Sequence, residues 1–188
     1  MKNSSFAEKL NNYFTNYLII QKNYSIDTIR SYKTTFKLLI TYLINYKNIT
    51  IKKLSFDAFT RSNIIDFLNY LENDLKVSIT TRNQRLAAIK SFCNYVSYEE
   101  INNINNIQQI LTIPTKKGAN SIIDYLTKDE LTKYLNSIST STRKGIRDYT
   151  LILLMYDTAA RANEIINIRI NDFILDYNPR VTFYGKGK

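Results

Sequence analysis

The sequence contains very few of the residues that interrupt helices. There are four glycines and two prolines in 188 residues, and such sparse punctuation favours helices over a turn-rich β fold. One cluster of breakers stands apart. Pro114-Thr-Lys-Lys-Gly-Ala-Asn-Ser121 combines a proline, a basic pair and a glycine, and it reads as an interdomain linker. The length allows one medium domain or two small ones, so the expected division is a domain at 1–113, a linker at 114–123 and a second domain at 124–188.

The apolar fraction of 44% is ordinary for a globular protein, so a packed core is expected and wholesale disorder is not. Charge says more. The 26 Lys and Arg outnumber the 16 Asp and Glu, giving a net charge of +10 and a pI near 9.5. A basic balance can simply aid solubility, but it also suits a polyanionic partner, most often nucleic acid. Both sides of the linker share the bias, with 14 basic against 8 acidic side chains before Pro114 and 12 against 8 from there on.

There is no histidine, which excludes His-dependent zinc sites and any His general base. The single cysteine, Cys93, cannot pair within the chain and falls in an apolar stripe, as a buried inert thiol would. No apolar run is long enough for a bilayer, and the segment from Met1 to Lys9 is too polar for a signal peptide. The expected setting is the cytoplasm, with no membrane and no small-molecule substrate.

Four helices are predicted before the linker. The first runs from about Phe6 to Ile20. In the second, Ser25 suits an N-cap, and Ile29, Tyr32, Phe36, Leu39 and Leu43 recur at the spacing of a buried face. Arg30, Lys33, Thr34, Lys37 and Thr41 share its opposite face. The third spans about Arg61 to Asn73. The fourth begins near Thr80, with Leu86, Ile89, Phe92, Cys93 and Val96 as its apolar stripe and Thr80, Thr81, Arg82, Asn83, Arg85 and Lys90 placed off it. A bundle of four or five short helices follows.

After the linker, Thr127-Lys-Asp-Glu130 has the pattern of a capping box that starts a helix reaching Ile138. An apolar helix is expected from about Gly145 to Tyr156 and a short one from Ala162 to Ile168. Arg180-Val-Thr-Phe-Tyr184 is a strand candidate that leads into Gly185-Lys-Gly-Lys188. A lone strand makes no stable sheet, so the second domain is expected to be incomplete.

Three stretches together resemble the tyrosine recombinase (phage integrase) family. The first is the pair Ser25-Ile-Asp-Thr-Ile-Arg-Ser-Tyr32 and Thr80-Thr-Arg-Asn-Gln-Arg-Leu-Ala-Ala-Ile-Lys-Ser-Phe92, similar to the second and fourth helices of the family's SAM-like core-binding domain. The second runs from Arg147 to Asp172 around Thr158-Ala-Ala-Arg161 and Glu164, and it resembles the first catalytic box. Ala159 stands where glycine is common. The third is Thr182-Phe-Tyr-Gly-Lys-Gly-Lys188, similar to the family's lysine-bearing hairpin.

The fold implied is mainly α: a SAM-like core-binding bundle followed by the first part, helices and a short β-hairpin strand, of an α+β catalytic domain. The partner implied is double-stranded DNA, with self-association on DNA as the family's tetramer and no cofactor or metal. Arg161 matches the arginine that holds the scissile phosphate, a task suited to a planar guanidinium fork. Lys186 matches the lysine that serves as general acid or electrostatic aid, with Lys188 as runner-up. Glu164 has the look of a structural partner, and Tyr184 of a packing residue. DNA contacts are expected from Arg30, Lys33, Thr34 and Lys37 on the second helix, and from Thr80, Thr81, Arg82, Asn83, Arg85 and Lys90 on the fourth.

The resemblance also implies a His-x-x-Arg box, a further His or Trp, and a tyrosine nucleophile, all expected beyond residue 188. The chain is therefore expected to bind DNA as part of a recombinase that works through a 3′-phosphotyrosyl intermediate, without cutting alone. A second reading is a naturally truncated, non-catalytic DNA-binding protein that regulates recombination. A third is a helical protein-interaction module, which leaves Arg161 and the Gly-Lys-Gly segment unexplained.

Overall fold

The structure is a computed structural model that describes residues 6–118 and 124–185. Its internal contacts divide the chain into two units, 1–120 and 121–188. The division falls inside the stretch expected as a linker.

The first unit is helical. Helix α1 (Phe6–Asn12) continues into a π-helical segment, Tyr13–Gln21. The expected first helix is thus present, but its second half is wound more widely. The wider turn gathers Tyr13, Phe14 and Leu18 on one arc, and all three are buried. Asn23, at φ 48°, ends the run in the left-handed region that asparagine tolerates. Then follow α2 (Ile26–Lys47), α3 (Arg61–Asn73), α4 (Ile79–Val96) and α5 (Ile104–Leu111).

The starts follow from local chemistry. The hydroxyls of Ser25, Thr60 and Ser78 accept from the backbone N–H of Thr28, Asn63 and Thr81 at 3.3, 3.3 and 3.2 Å, satisfying donors left open at helix N-termini. Helix α5, unannounced by any such cap, is held by Ile107 and Ile110, both buried.

Phe92 of α4 is the hub of the core. Its ring lies 5.7 Å from Phe6, 5.2 Å from Tyr13 and Phe36, and 5.9 Å from Phe59, in edge-on geometries that favour aromatic pairs. Cys93 beside it is fully buried, and burial pushes its thiol up to about 12, so it stays protonated and inert. A buried cation also ties this unit together: Lys9 reaches Glu99 at 2.8 Å and Glu100 at 3.1 Å.

The second unit holds α6 (Lys128–Ser137), α7 (Arg143–Thr158), α8 (Ala162–Ile166) and a hairpin of β1 (Phe173–Ile174) and β2 (Arg180–Val181). The expected capping box is present. Thr127 Oγ1 accepts from Glu130 N at 3.3 Å, and Glu130 Oε2 accepts from Thr127 N at 2.8 Å. Gly145 sits in the first turn of α7, where a Cβ would collide with the Ser139 carbonyl.

The strand expected over 180–184 is not alone. Strand β1 pairs with it antiparallel, Phe173 opposite Val181 and Ile174 opposite Arg180, and Thr182 N–H donates to Asp172 O at 3.0 Å. This corrects the picture of a strand with no partner: β1 is only two residues long, within the apolar stretch Phe173-Ile-Leu175, too short for an alternation to show. Among the described residues of this unit, the buried apolar side chains are Leu131, Leu135 and Ile165. Helix α7 keeps Ile146, Leu151, Leu153, Met155 and Tyr156 exposed.

Candidate nucleic-acid interface and arginine site

Helix α2 presents the expected open face. Arg30, Lys33, Thr34, Lys37 and Thr41 are all exposed, opposite buried Ile29, Phe36, Leu39 and Leu43. The stripe holds no carboxylate of its own. Asp27, one turn before it, pairs with Arg30 at 3.3 Å, and a pair this exposed is worth little. The stripe therefore offers three cations and two hydroxyls to a polyanion.

Helix α4 departs from expectation. Arg82 is buried, its side chain 5% exposed, and its Nε lies 3.2 Å from Glu72 Oε2. Arg85 is half-buried and donates from Nη1 to Ser31 O at 2.8 Å and Thr35 Oγ1 at 3.1 Å, joining α4 to α2. Burial lowers its pKa. These two arginines do not lie on an open face. Position 82 shares the phase of Leu86, Ile89 and Cys93, and position 85 borders it.

The remaining α4 positions divide as follows. Asn83 is engaged at both ends of its amide, donating to Lys116 O at 2.8 Å and accepting from Lys116 N at 3.1 Å. It pins the start of the expected linker to the first unit. Lys116 Nζ meets Glu72 at 2.6 Å; that bond, with Arg82 nearby, holds the Glu72 carboxyl below the usual carboxylate range. Thr81 is half-buried near the Ser78 cap. Thr80 is exposed and Lys90 half-buried. Gln84, Ala87 and Asn94 are also exposed; they follow Thr80 at steps of four, three and seven residues, the spacing of one helix face. Counting the period from Thr80, instead of from the apolar residues, would have found them.

In the second unit, Arg161 sits at the N-cap position of α8. Glu164, in the first turn, reaches back: Oε2 accepts from Arg161 N at 2.8 Å and Oε1 from Arg161 Nη1 at 2.9 Å. These bonds hold the Glu164 carboxyl below the usual carboxylate range. The Arg161 side chain is 82% exposed, and its guanidinium has N–H donors beyond the one given to Glu164. It opens on a cavity of about 990 Å³ lined also by Asn163, Asn167, Tyr184 and Gly185. Gly185 closes the site from the hairpin side, where a Cβ would stand 2.9 Å from Glu164 Oε1. The preceding turn is left-handed at Ala159, φ 52°, a conformation that costs a non-glycine residue about 1 kcal/mol. Lys186 and Lys188 lie outside the described residues. No cluster of three or more His, Cys, Asp or Glu is placed to hold a metal ion among the described residues, and no helix there is long and apolar enough to cross a membrane.

Comparison with known proteins gives the family. Residues 12–100 match the model of the phage integrase N-terminal SAM-like domain, and residues 124–188 match that of the phage integrase family. The chain belongs to the phage integrase family of tyrosine recombinases. Two integrase/recombinases of Sinorhizobium fredii, y4rC and y4rD, are 31% and 32% identical over 100% and 97% of the chain. Tyrosine recombinase XerD of Listeria innocua is 27% identical over 93% of the chain. The chain spans 56%, 65% and 56% of the length of these relatives. A solved XerH site-specific recombinase, in a post-cleavage complex with a palindromic difH substrate, shares the fold. It matches with a TM-score of 0.63 and 22% identity, over 88% of this chain and 48% of that one.

Proposed function

We propose that this chain is the DNA-engaging portion of a site-specific recombinase. In this reading the first unit holds double-stranded DNA, through the α2 stripe of Arg30, Lys33, Thr34 and Lys37 and the open side of α4 around Thr80, Thr81 and Lys90. The observation that carries it is the α2 stripe: a long helix with one buried, mainly apolar face and an exposed stripe of cations and hydroxyls opposite it, in a family member of net charge +10. Such a face gains affinity by releasing condensed counterions from phosphate. Arg82, Arg85 and Asn83 act indirectly, by fixing α4 to its neighbours.

The second unit supplies Arg161 to the scissile phosphate. Its fork binds two non-bridging oxygens and offsets the charge that grows as the phosphorus is attacked. Lys186, next after Gly185 in the sequence, donates a proton to the leaving 5′-oxygen or stabilises it as a cation. Nucleophilic attack belongs to a tyrosine outside these 188 residues, forming a 3′-phosphotyrosyl link, together with a His-x-x-Arg box that a histidine-free sequence cannot contain. The assembly on DNA is a tetramer acting in the cytoplasm.

The test is a fluorescence-anisotropy titration of a labelled duplex with the 188-residue chain at low ionic strength, with denaturing gels run in parallel. Saturable binding with no covalent adduct is expected. An absence of binding at low salt contradicts the DNA-engaging role, and an adduct contradicts the placement of the nucleophile outside the chain.

A further inference from the structure

A second groove in the first unit lies along the C-terminal half of α4. It has a volume of about 600 Å³ and is lined by Tyr17, Lys22, Tyr24, Lys90, Asn94 and Tyr98, among others. No carboxylate lines it. The acidic pair that follows Tyr98 in the sequence, Glu99 and Glu100, is taken up by Lys9 at 2.8 and 3.1 Å. One wall is fixed. Tyr17 stacks on Tyr13 at 5.7 Å and lies tilted against Tyr95 at 4.7 Å, and Lys22 stands over its ring at 5.6 Å. Asn23, left-handed at φ 48°, turns the chain so that Tyr24 comes round beside the groove, its ring edge-on to Tyr32 at 6.1 Å. At the rim, Tyr24 is 37% and Tyr98 89% exposed. Ala87, exposed on α4, keeps the floor low.

We propose that this groove binds single-stranded nucleic acid. Lysines without competing carboxylates attract the phosphodiester backbone, and rings with uncovered faces stack on bases, a combination typical of strand-tracking grooves. A duplex cannot use the rings, because its base faces are already stacked on one another. The tyrosines therefore select unpaired nucleotides, and the groove is distinct from the duplex stripe on α2, sharing only Lys90 with the duplex contacts proposed for α4. An acidic peptide would match the lysines and leave the rings idle.

The experiment titrates the full chain with an oligo-dT strand, an abasic phosphodiester strand of equal length and a duplex, reading tyrosine fluorescence and anisotropy. The sequence has no tryptophan, so tyrosine emission reports directly. Oligo-dT is expected to bind about tenfold or more tighter than the abasic strand, since stacking on one base is worth about 1–3 kcal/mol. The double variant Tyr24→Ala/Tyr98→Ala should lose that advantage and keep duplex affinity, whereas Tyr24→Phe/Tyr98→Phe should retain both. Equal binding of the abasic strand overturns the proposal. So does an Ala/Ala variant with unchanged oligo-dT affinity, or displacement of oligo-dT by a poly-glutamate peptide at equal charge concentration. Loss of duplex binding alone would defeat the duplex reading and leave this groove standing.

Discussion

Glu164 grips Arg161 at two points, the backbone N–H at 2.8 Å and the guanidinium at 2.9 Å, while Gly185 leaves room for the same carboxylate. One side chain thus sets the start of α8, the direction of the guanidinium and the approach of the segment that leads to Lys186. The Glu164 pKa lies below its ordinary value, so its contribution is fully present above the ordinary carboxylate pKa and is lost as pH falls through the depressed one. The Arg161 backbone amide resonance should therefore titrate below the usual Glu value of about 4.3. Glu164→Gln should remove that titration, and Gly185→Ala should move it upward by displacing Oε1. An Arg161 inflection at or above the ordinary value would contradict the grip.

Glu72 answers to two cations, Arg82 at 3.2 Å and Lys116 at 2.6 Å. Replacing it by Gln leaves a buried guanidinium uncompensated, and breaking a buried pair this way costs about 3–5 kcal/mol. A chemical denaturation curve should show that loss at neutral pH in Glu72→Gln. Because the Glu72 pKa is depressed, the wild-type chain should lose the stabilisation tied to that carboxylate only as pH falls below the ordinary carboxylate range. Lys116→Ala should cost much less, since its ammonium is half-exposed. Equal losses from Glu72→Gln and Lys116→Ala would contradict this division.

Much of the local structure could be read from neighbouring residues. Ser25 and the pair Thr127 with Glu130 act within three residues, so spacing alone reveals them, whereas Arg161 and Glu164 are singled out by the family resemblance. What neighbouring residues do not show depends on distant partners. Arg82 looks like a DNA contact until Glu72 is brought beneath it from α3. Arg85 looks free until Ser31 and Thr35 arrive from α2, more than fifty positions away by Ser31. Asn83 looks free until Lys116 folds back across thirty-three. Residue type and phase also disagree at Arg82: its charge suggests an open face, whereas its phase with Leu86 and Ile89 puts it on the buried one. Strand β1 was missed because two residues carry no period.

The two units should differ in local stability. Helices α2, α3 and α4 enclose the Phe92 cluster, whereas α7 keeps Ile146, Leu151, Leu153, Met155 and Tyr156 exposed. Amide exchange protection follows buried apolar contact, so hydrogen exchange should be slowest in α3 and α4 and faster by orders of magnitude in α7. Equal protection across the two would show that α7 is covered in solution.

The central claim is that the exposed α2 face, and not the arginines of α4 in general, holds duplex DNA. It is tested most directly by the salt dependence of duplex affinity for the wild-type chain and for Arg30→Ala/Lys33→Ala/Lys37→Ala. Each phosphate contact contributes about 0.9 to the slope of log K against log salt. The triple variant should therefore bind more weakly at low salt and show a slope shallower by about 2–3, with unchanged thermal stability. A triple variant with wild-type affinity and slope would contradict the account.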